Sequence, residues 1–320
     1  MGELINKIKR AGKKIGKNKT ALAYIMIITV LFMWGIAPTL QKSLNDRYSA
    51  GLRNVVTMGI SAIALFLICL KKIKKINASY FKVAVPTGVF MSIASLIQKI
   101  GLLYTTPAKY AFLENLSCVV VPLILFIVIK KKPSLLTIIS CILCLVGSFI
   151  LGGNFGQAGG FSLGIGEILC ALAGVFYGVN IAFTGIKIKK FDTSLYLFIQ
   201  LTTATIVGFL CTLFLAYVPI NGTVIEPIKF SWDIDGLLLL LFFALVCTVL
   251  CWLLRTKAMK YVNPTAVSVI MPFSSVIASV FSIVVGMDVI SYELAIGGLI
   301  VLVAAILSSV ADVKYEQKNS

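Results

Sequence analysis

Ten apolar runs separated by short polar tracts set the pattern of this chain. A window of about 19 residues, the length that crosses a bilayer as a helix, places them at roughly 20–41, 50–70, 80–103, 107–129, 134–152, 162–186, 193–218, 236–255, 263–285 and 291–311. The fold class this predicts is an all-α polytopic membrane protein with ten transmembrane helices. No small-residue cleavage site follows the first run, so it reads as a retained span rather than a signal peptide. Residues 1–19 form a basic tail, either a short helix lying on anionic lipid or a disordered segment, and residues 313–320 form a second tail.

Lysine and arginine placement orients the spans. With the N-terminus taken as cytoplasmic, the inside segments carry 23 basic residues and the outside ends carry 5: Lys42, Arg47, Arg53, Lys109 and Lys229. Arg255, Lys257 and Lys260 count among the inside group at the end of the eighth span. That bias predicts both termini inside a plasma membrane and fits ten spans, because losing one would put basic loops on both sides.

Composition changes the picture only by exclusion. A 320-residue chain that is 59% hydrophobic and 13% charged, with mean hydropathy +1.01, has too little polar surface for a soluble domain. The net charge of +17 does not point to nucleic acid, since it is spread over short inter-span tracts. Histidine is absent, and the eight cysteines sit mostly inside apolar runs, so neither a metal nor a cofactor is expected. No convergent acid, base and nucleophile set suggests an enzyme.

The pattern repeats internally. Placing Pro107 on Pro264 sets Tyr104 over Tyr261, Gln98 over Arg255 and the fourth run over the ninth; Trp34-Gly35 similarly falls on Tyr177-Gly178. The halves are 20–153 and 162–312, with five runs each. An odd number of spans per half makes the second half run in the opposite sense, so two inverted five-helix repeats are expected.

Ionisable groups inside spans are costly and pair with each other or face water, which singles out Lys99, Lys109 and Glu114. Glu114 and Lys99 are placed to reach one another, either as a cavity-lining pair or as a static ion pair. Glu114 is also the candidate for proton coupling. Trp34 and Tyr177, matched across the repeat, and Gln98 and Asn180 complete the candidate binding set. Pro38, Pro122 and Pro272 interrupt helical hydrogen bonding and are candidate hinges, or static kinks. Tyr104 and Tyr110 read as interfacial belt residues, Glu167 as a solvated one, and Gln200 as bonded to a neighbouring helix. Small residues recur every fourth position at Gly166, Cys170, Gly174, Gly178 and Ala182, a groove for close helix approach. Ser140, Cys144 and Ser148 in the fifth run, and Ala304, Ala305, Ser308 and Ser309 in the tenth, offer similar faces for packing or for a homodimer.

Four places resemble the drug/metabolite transporter superfamily, in its EamA-type carriers with two five-helix repeats. They are Trp34-Gly35 with Pro38; Gln98-x-x-Gly101-x-x-Tyr104-Thr105-Thr106 into Ala108; Pro122; and Val262-Asn263-Pro264-Thr265-Ala266 leading to Met271-Pro272. The chain departs from that family's usual Glu-Pro at Met271-Pro272. The resemblance implies alternating-access transport of a small-molecule substrate across the bilayer, with efflux of amino acids or related compounds as the leading expectation. A carrier for phosphorylated or lipid-linked sugars, using Lys99, Lys109 and Arg255, is the alternative. A non-transporting membrane scaffold is the other.

Overall fold

Regular structure is helical throughout the described residues. The computed structural model describes residues 2–105, 107–130, 132–152, 164–218, 226–286 and 292–318. Within these ranges the side chains of 2–18, 108, 109, 112, 151, 152, 293, 294 and 312–318 fall outside the description. The candidate Lys109 side chain is therefore outside it, as are Thr106 and Lys131.

The helices are α1 (Gly2–Lys42), α2 (Ala50–Cys69), α3 (Ala78–Gly101), α4 (Pro107–Glu114), α5 (Ser117–Ile129), α6 (Leu135–Gly152), α7 (Ile165–Lys187), α8 (Thr193–Tyr217), α9 (Ile234–Phe242), α10 (Cys251–Ala258), α11 (Pro264–Ile270), α12 (Phe273–Val284) and α13 (Tyr292–Lys318). The backbone of the basic tail continues the first helix. Among the described residues seven segments are long and apolar enough to cross a membrane, and Ser117–Ile129, Leu135–Ile150 and Ala295–Ala311 are shorter apolar helices. Large apolar side chains such as Phe32, Ile63, Leu123, Ile142 and Phe209 are exposed on the outer faces, as they are when the solvent is lipid.

Three columns depart from a plain α-helix, in two ways. The α4–α5 column breaks after Glu114, and the α11–α12 column breaks at Met271-Pro272. In the register that sets Pro107 on Pro264, Pro272 stands on Asn115, so both breaks fall at one place. The second departure is a π-helical stretch, Phe243–Leu250, between α9 and α10. Its widened turns leave carbonyls for side chains: Ser61 donates to Ala244 O at 2.8 Å and Trp34 Nε1 to Cys247 O at 2.8 Å.

Packing across the two halves is reciprocal. α3 packs on α7 as α10 packs on α1; α3 on α8 as the π stretch on α2; α5 on α7 as α12 on α1; α2 faces α8 and α6 faces α13. The α6–α13 seam uses the serine, cysteine and alanine faces that the sequence offered to a homodimer: Ser140, Cys144, Ser148, Ala304 and Ser308 are buried within the chain. On the outer sides of these helices Ile138, Ile142, Leu299 and Ile306 are exposed. The groove along α7 is likewise filled from within. A Cβ on Gly174 would lie 2.7 Å from Leu113 O and 2.9 Å from Glu114 O, and one on Gly178 would lie 2.6 Å from Val120 Cβ.

Each end of the bundle has its own fastenings. At the basic end Lys72 pairs with Asp192 at 3.1 Å, the Asp192 N–H donates to Tyr80 Oη at 3.0 Å, and Lys260 Nζ donates to Phe191 O at 2.6 Å. Gly185 there abuts the ring of Pro264. At the opposite end Lys42 donates to Leu102 O and Thr105 O, both at 2.9 Å, and Arg47 pairs with Asp233 at 2.6 Å. The Glu226 carboxylate accepts from the N–H groups of Ala50 and Gly51.

Asp192 also caps α8, accepting from Ser194 N at 2.9 Å and Leu195 N at 3.3 Å. Partial burial pushes its carboxyl up, but the hydrogen bonds from Lys72, Leu195 and Ser194 outweigh this and hold it below its ordinary 3.8. A lowered folded-state value adds stability above the unfolded value, and this is lost as pH falls through the folded one. Asp192→Ala, which removes the cap that asparagine would keep, should cost about 1 kcal/mol at neutral pH. That deficit should close on acidification below 3.8, as thermal melts in detergent across this range would show. Equal melting of the two proteins at neutral pH would contradict the capping role.

Candidate functional site

A cavity of about 120 Å³ lies between the halves. Its lining starts at Gln41 and Leu44 in and just after the last turn of α1 and reaches Ile181, Trp252, Arg255 and Met271 near the middle of the bundle. Towards the basic end the space is filled by a large apolar cluster that includes Ile27, Leu65, Ile188, Tyr196, Val267 and Ile270.

The breaks and the π stretch aim the polar groups inward. Glu114 is the last residue of α4, held over the glycine groove of α7, and its Oε2 accepts from Gln98 Nε2 at 2.7 Å. Gln98 Oε1 in turn accepts from Tyr177 Oη at 3.0 Å, which fixes the amide's orientation. Asn115 ties the break to its neighbours, donating to Ser148 Oγ at 2.9 Å and to Ser275 Oγ at 3.4 Å. Lys99 donates to Asn54 Oδ1 at 3.1 Å and to Ser95 Oγ, and Ser95 donates to Asn54 Oδ1 at 2.7 Å.

Beyond the π stretch, Arg255 lies one turn after Trp252, and its guanidinium sits 3.9 Å from the Trp252 ring centroid and 5.2 Å from that of Trp34. The two indoles are 5.8 Å apart, and Tyr177 is 6.3 Å from Trp252. An aromatic cage of this kind stabilises a cation by ring electrostatics while leaving its N–H groups to other acceptors. Arg255 Nη2 reaches Asn180 Oδ1 at 3.4 Å, and Asn180 Nδ2 donates to Thr87 O at 2.8 Å. Arg53 donates from Nη1 to Gln41 O at 2.9 Å.

Trp34, Gln98, Lys99, Glu114 and Tyr177 all line the cavity, as does Pro38. Asn180 does not; it stands behind Arg255 as its polar support. Pro272 sits at the α11–α12 break, whereas Pro122 lies within α5, away from the cavity. Gln200 is buried on α8, donating to Tyr196 Oη at 3.4 Å, and Tyr104 is exposed.

Several expectations are corrected. Lys99 and Glu114 form no ion pair; the ion pairs among the described residues are Arg47–Asp233 and Lys72–Asp192. Lys99 turns inward instead of snorkelling, because Asn54 and Ser95 provide acceptors there. Tyr110 lines the cavity and is no belt residue. Glu167 is buried, accepting from Thr105 Oγ1 at 2.8 Å and Gly164 N at 3.0 Å. Arg53 and Arg255, counted as loop charges, are each only 2% exposed, which leaves the charge bias at 22 to 4.

The sequence reading thus missed Arg53 and Trp252, and it named Arg255 only in the alternative, as an anion ligand beside Lys99 and Lys109. The alignment of Arg255 with Gln98 across the repeat was the signal for a place in the main site.

Comparison with known proteins agrees with this architecture. The EamA-like transporter family model matches residues 21–153 and 164–310, once in each half. An uncharacterized transporter of Archaeoglobus fulgidus is 23% identical over 302 residues, covering 94% of this chain and 90% of that protein. A solved crystal structure, 16% identical, superposes with a TM-score of 0.69 over 92% of this chain and 98% of the other, a likeness of fold. With both halves matched, the chain belongs to the EamA-like transporter family and is a multi-pass membrane transporter, not an enzyme.

Proposed function

We propose that the protein is an alternating-access carrier that exports small metabolites, amino acids or related compounds, across the cytoplasmic membrane. In this reading ten spans form two inverted repeats, the α4–α5, α9–α10 and α11–α12 columns each counting as one span. The end-to-end fastenings support the inversion. α1 finishes where α7 starts, with Lys42 bonded to Thr105 O and Thr105 to Glu167, and α2 finishes beside the start of α8 at Lys72–Asp192. The basic end is the cytoplasmic one by charge bias, with both termini on that side.

The observation that carries the reading is the cavity itself. Polar and charged side chains from both halves converge on one space, closed towards the basic end by apolar packing. A site at the repeat interface, with broken helices on either side, is where rocking of one bundle against the other moves a solute. Glu114, the carboxylate among the cavity-lining residues, is the proposed coupling group. The basic surplus of the cavity favours a second reading, exchange of a phosphorylated or lipid-linked sugar.

Uptake into proteoliposomes of radiolabelled amino acids, organic acids and sugar phosphates, with and without a pH gradient, tests both. Saturable uptake of one class, lost or made pH-independent in Glu114→Gln, is the expected result. Wild-type behaviour in Glu114→Gln would reduce Glu114 to a structural charge. Absence of uptake for every solute would sink the carrier reading for these substrates.

A further inference from the structure

Three basic side chains, Arg53, Lys99 and Arg255, line the cavity against the one carboxylate of Glu114. Among the described residues none of the three is in an ion pair. Buried charge without a counter-charge is expensive, and side chains in a binding site are relieved when the ligand brings the opposite sign. Glu226, near the start of α2, is already held by the N–H groups of Ala50 and Gly51.

Their unused hydrogen-bonding capacity is directional. Arg53 Nε and Nη2 have no hydrogen-bond partner. Together they form one edge of the guanidinium, the fork that receives two oxygens of a carboxylate or phosphate. Arg255 Nε is also without a hydrogen-bond partner among the described residues, although its guanidinium lies over the Trp34 and Trp252 rings. Arg53 belongs to α2 in the first half and Arg255 to α10 in the second, so one ligand bound by both would bridge the halves.

We propose that the cavity recognises a small organic acid carrying two acidic groups, one seated on the free edge of Arg53 with Lys99 nearby and the other on Arg255 in its indole cage. This rests on the transporter reading above and narrows it from small metabolites to dianionic ones. Glu114 leaves room for an ammonium on the same ligand, so acidic amino acids fall in the class, while neutral amino acids and monocarboxylates lack the second contact.

The three tryptophans supply the assay: Trp34 and Trp252 flank Arg255, and Trp232 is exposed. In a Trp232→Phe background, purified protein is titrated with succinate, aspartate, butyrate and leucine, following indole emission and melting temperature. Succinate and butyrate share a carbon count and differ by one carboxylate. The expected result is saturable binding of succinate and aspartate, with butyrate at least about tenfold weaker and leucine silent. Arg53→Gln and Arg255→Gln should each weaken succinate by about tenfold or more, and Arg53→Lys, which keeps the charge but loses the fork, by several-fold. Arg47→Gln, at the bundle end, should change nothing. Should an arginine-to-glutamine variant fail to fold, the lysine variant and the succinate–butyrate ratio still decide. Butyrate or leucine binding as tightly as succinate, or unaltered succinate binding in both Arg53 variants, would overturn the proposal. Saturable leucine uptake in proteoliposomes without competition by succinate would overturn it while leaving the carrier reading intact.

Discussion

Gly174→Val should cost the protein most of its transport and a large part of its stability. Any side chain at 174 points at backbone: a Cβ would sit 2.7 Å from Leu113 O and 2.9 Å from Glu114 O. Backbone cannot rotate away as a flexible side chain can, so α4 must lift off α7 and carry Glu114 out of its bond to Gln98. Overpacking of this kind costs about 1–3 kcal/mol, with valine expected at or above the upper end and alanine below it. Transport should fall by about tenfold or more, since misplacing a binding group by about 1 Å is enough for such losses. Gly59→Ala is the control. Its Cβ would meet only Thr205 Cγ2 at 3.5 Å, ordinary contact, and alanine favours the helix by about 1 kcal/mol over glycine. Melting temperatures and uptake rates for the two variants check the contrast; equal behaviour would mean that the α4–α7 contact does not position the site.

The second large effect concerns closure. Gly185, near the end of α7, abuts the Pro264 ring at the start of α11. In the register that matches Trp34 with Tyr177, the residue corresponding to Gly185 is Lys42, whose amine reaches Leu102 O and Thr105 O at the opposite end. The junction where a glycine lets two helices touch is therefore at the end that is sealed. Gly185→Leu wedges that junction. A carrier that opens at its basic end has a conformation that accommodates the leucine, so the variant should fold yet be held open there, with transport reduced about a hundredfold or more. A population shift of that size needs only about 3 kcal/mol of differential cost between the two states. If the variant instead fails to fold while Gly174→Ala folds, the basic end has no open alternative.

Much of this was legible in the chain because hydrocarbon enforces simple rules. The spans follow from apolar length, and Glu114 and Lys99 stand out because charge inside such runs is rare. The α7 groove was legible from small residues at every fourth position, although the sequence could not name α4 as its occupant. Arg255 entered only the alternative reading because the eighth apolar run ends at its position, so it counted chiefly as a loop charge. In the folded chain the helix runs on to Ala258 and the π stretch helps turn Trp252 and Arg255 into the cavity. Arg53 escaped for a similar reason: it lies in the first turn of α2, and nothing local shows that the cavity reaches up to that turn. Whether Lys99 met Glu114 depended on Asn54 and Ser95, acceptors on two other turns that linear spacing does not bring together.

The central claim is that the cavity is reached from each face in turn. Ser274→Cys, a small change at the cavity wall, reports access when the partly exposed Cys211 and the cavity-lining Cys247 are replaced by serine. A membrane-impermeant maleimide is applied to either side of vesicles holding the protein in one orientation. The account predicts labelling from both faces during turnover, protection by transported substrate, and a shift of labelling to the basic side in Gly185→Leu. Labelling from one face only, unchanged by substrate and by Gly185→Leu, would contradict it.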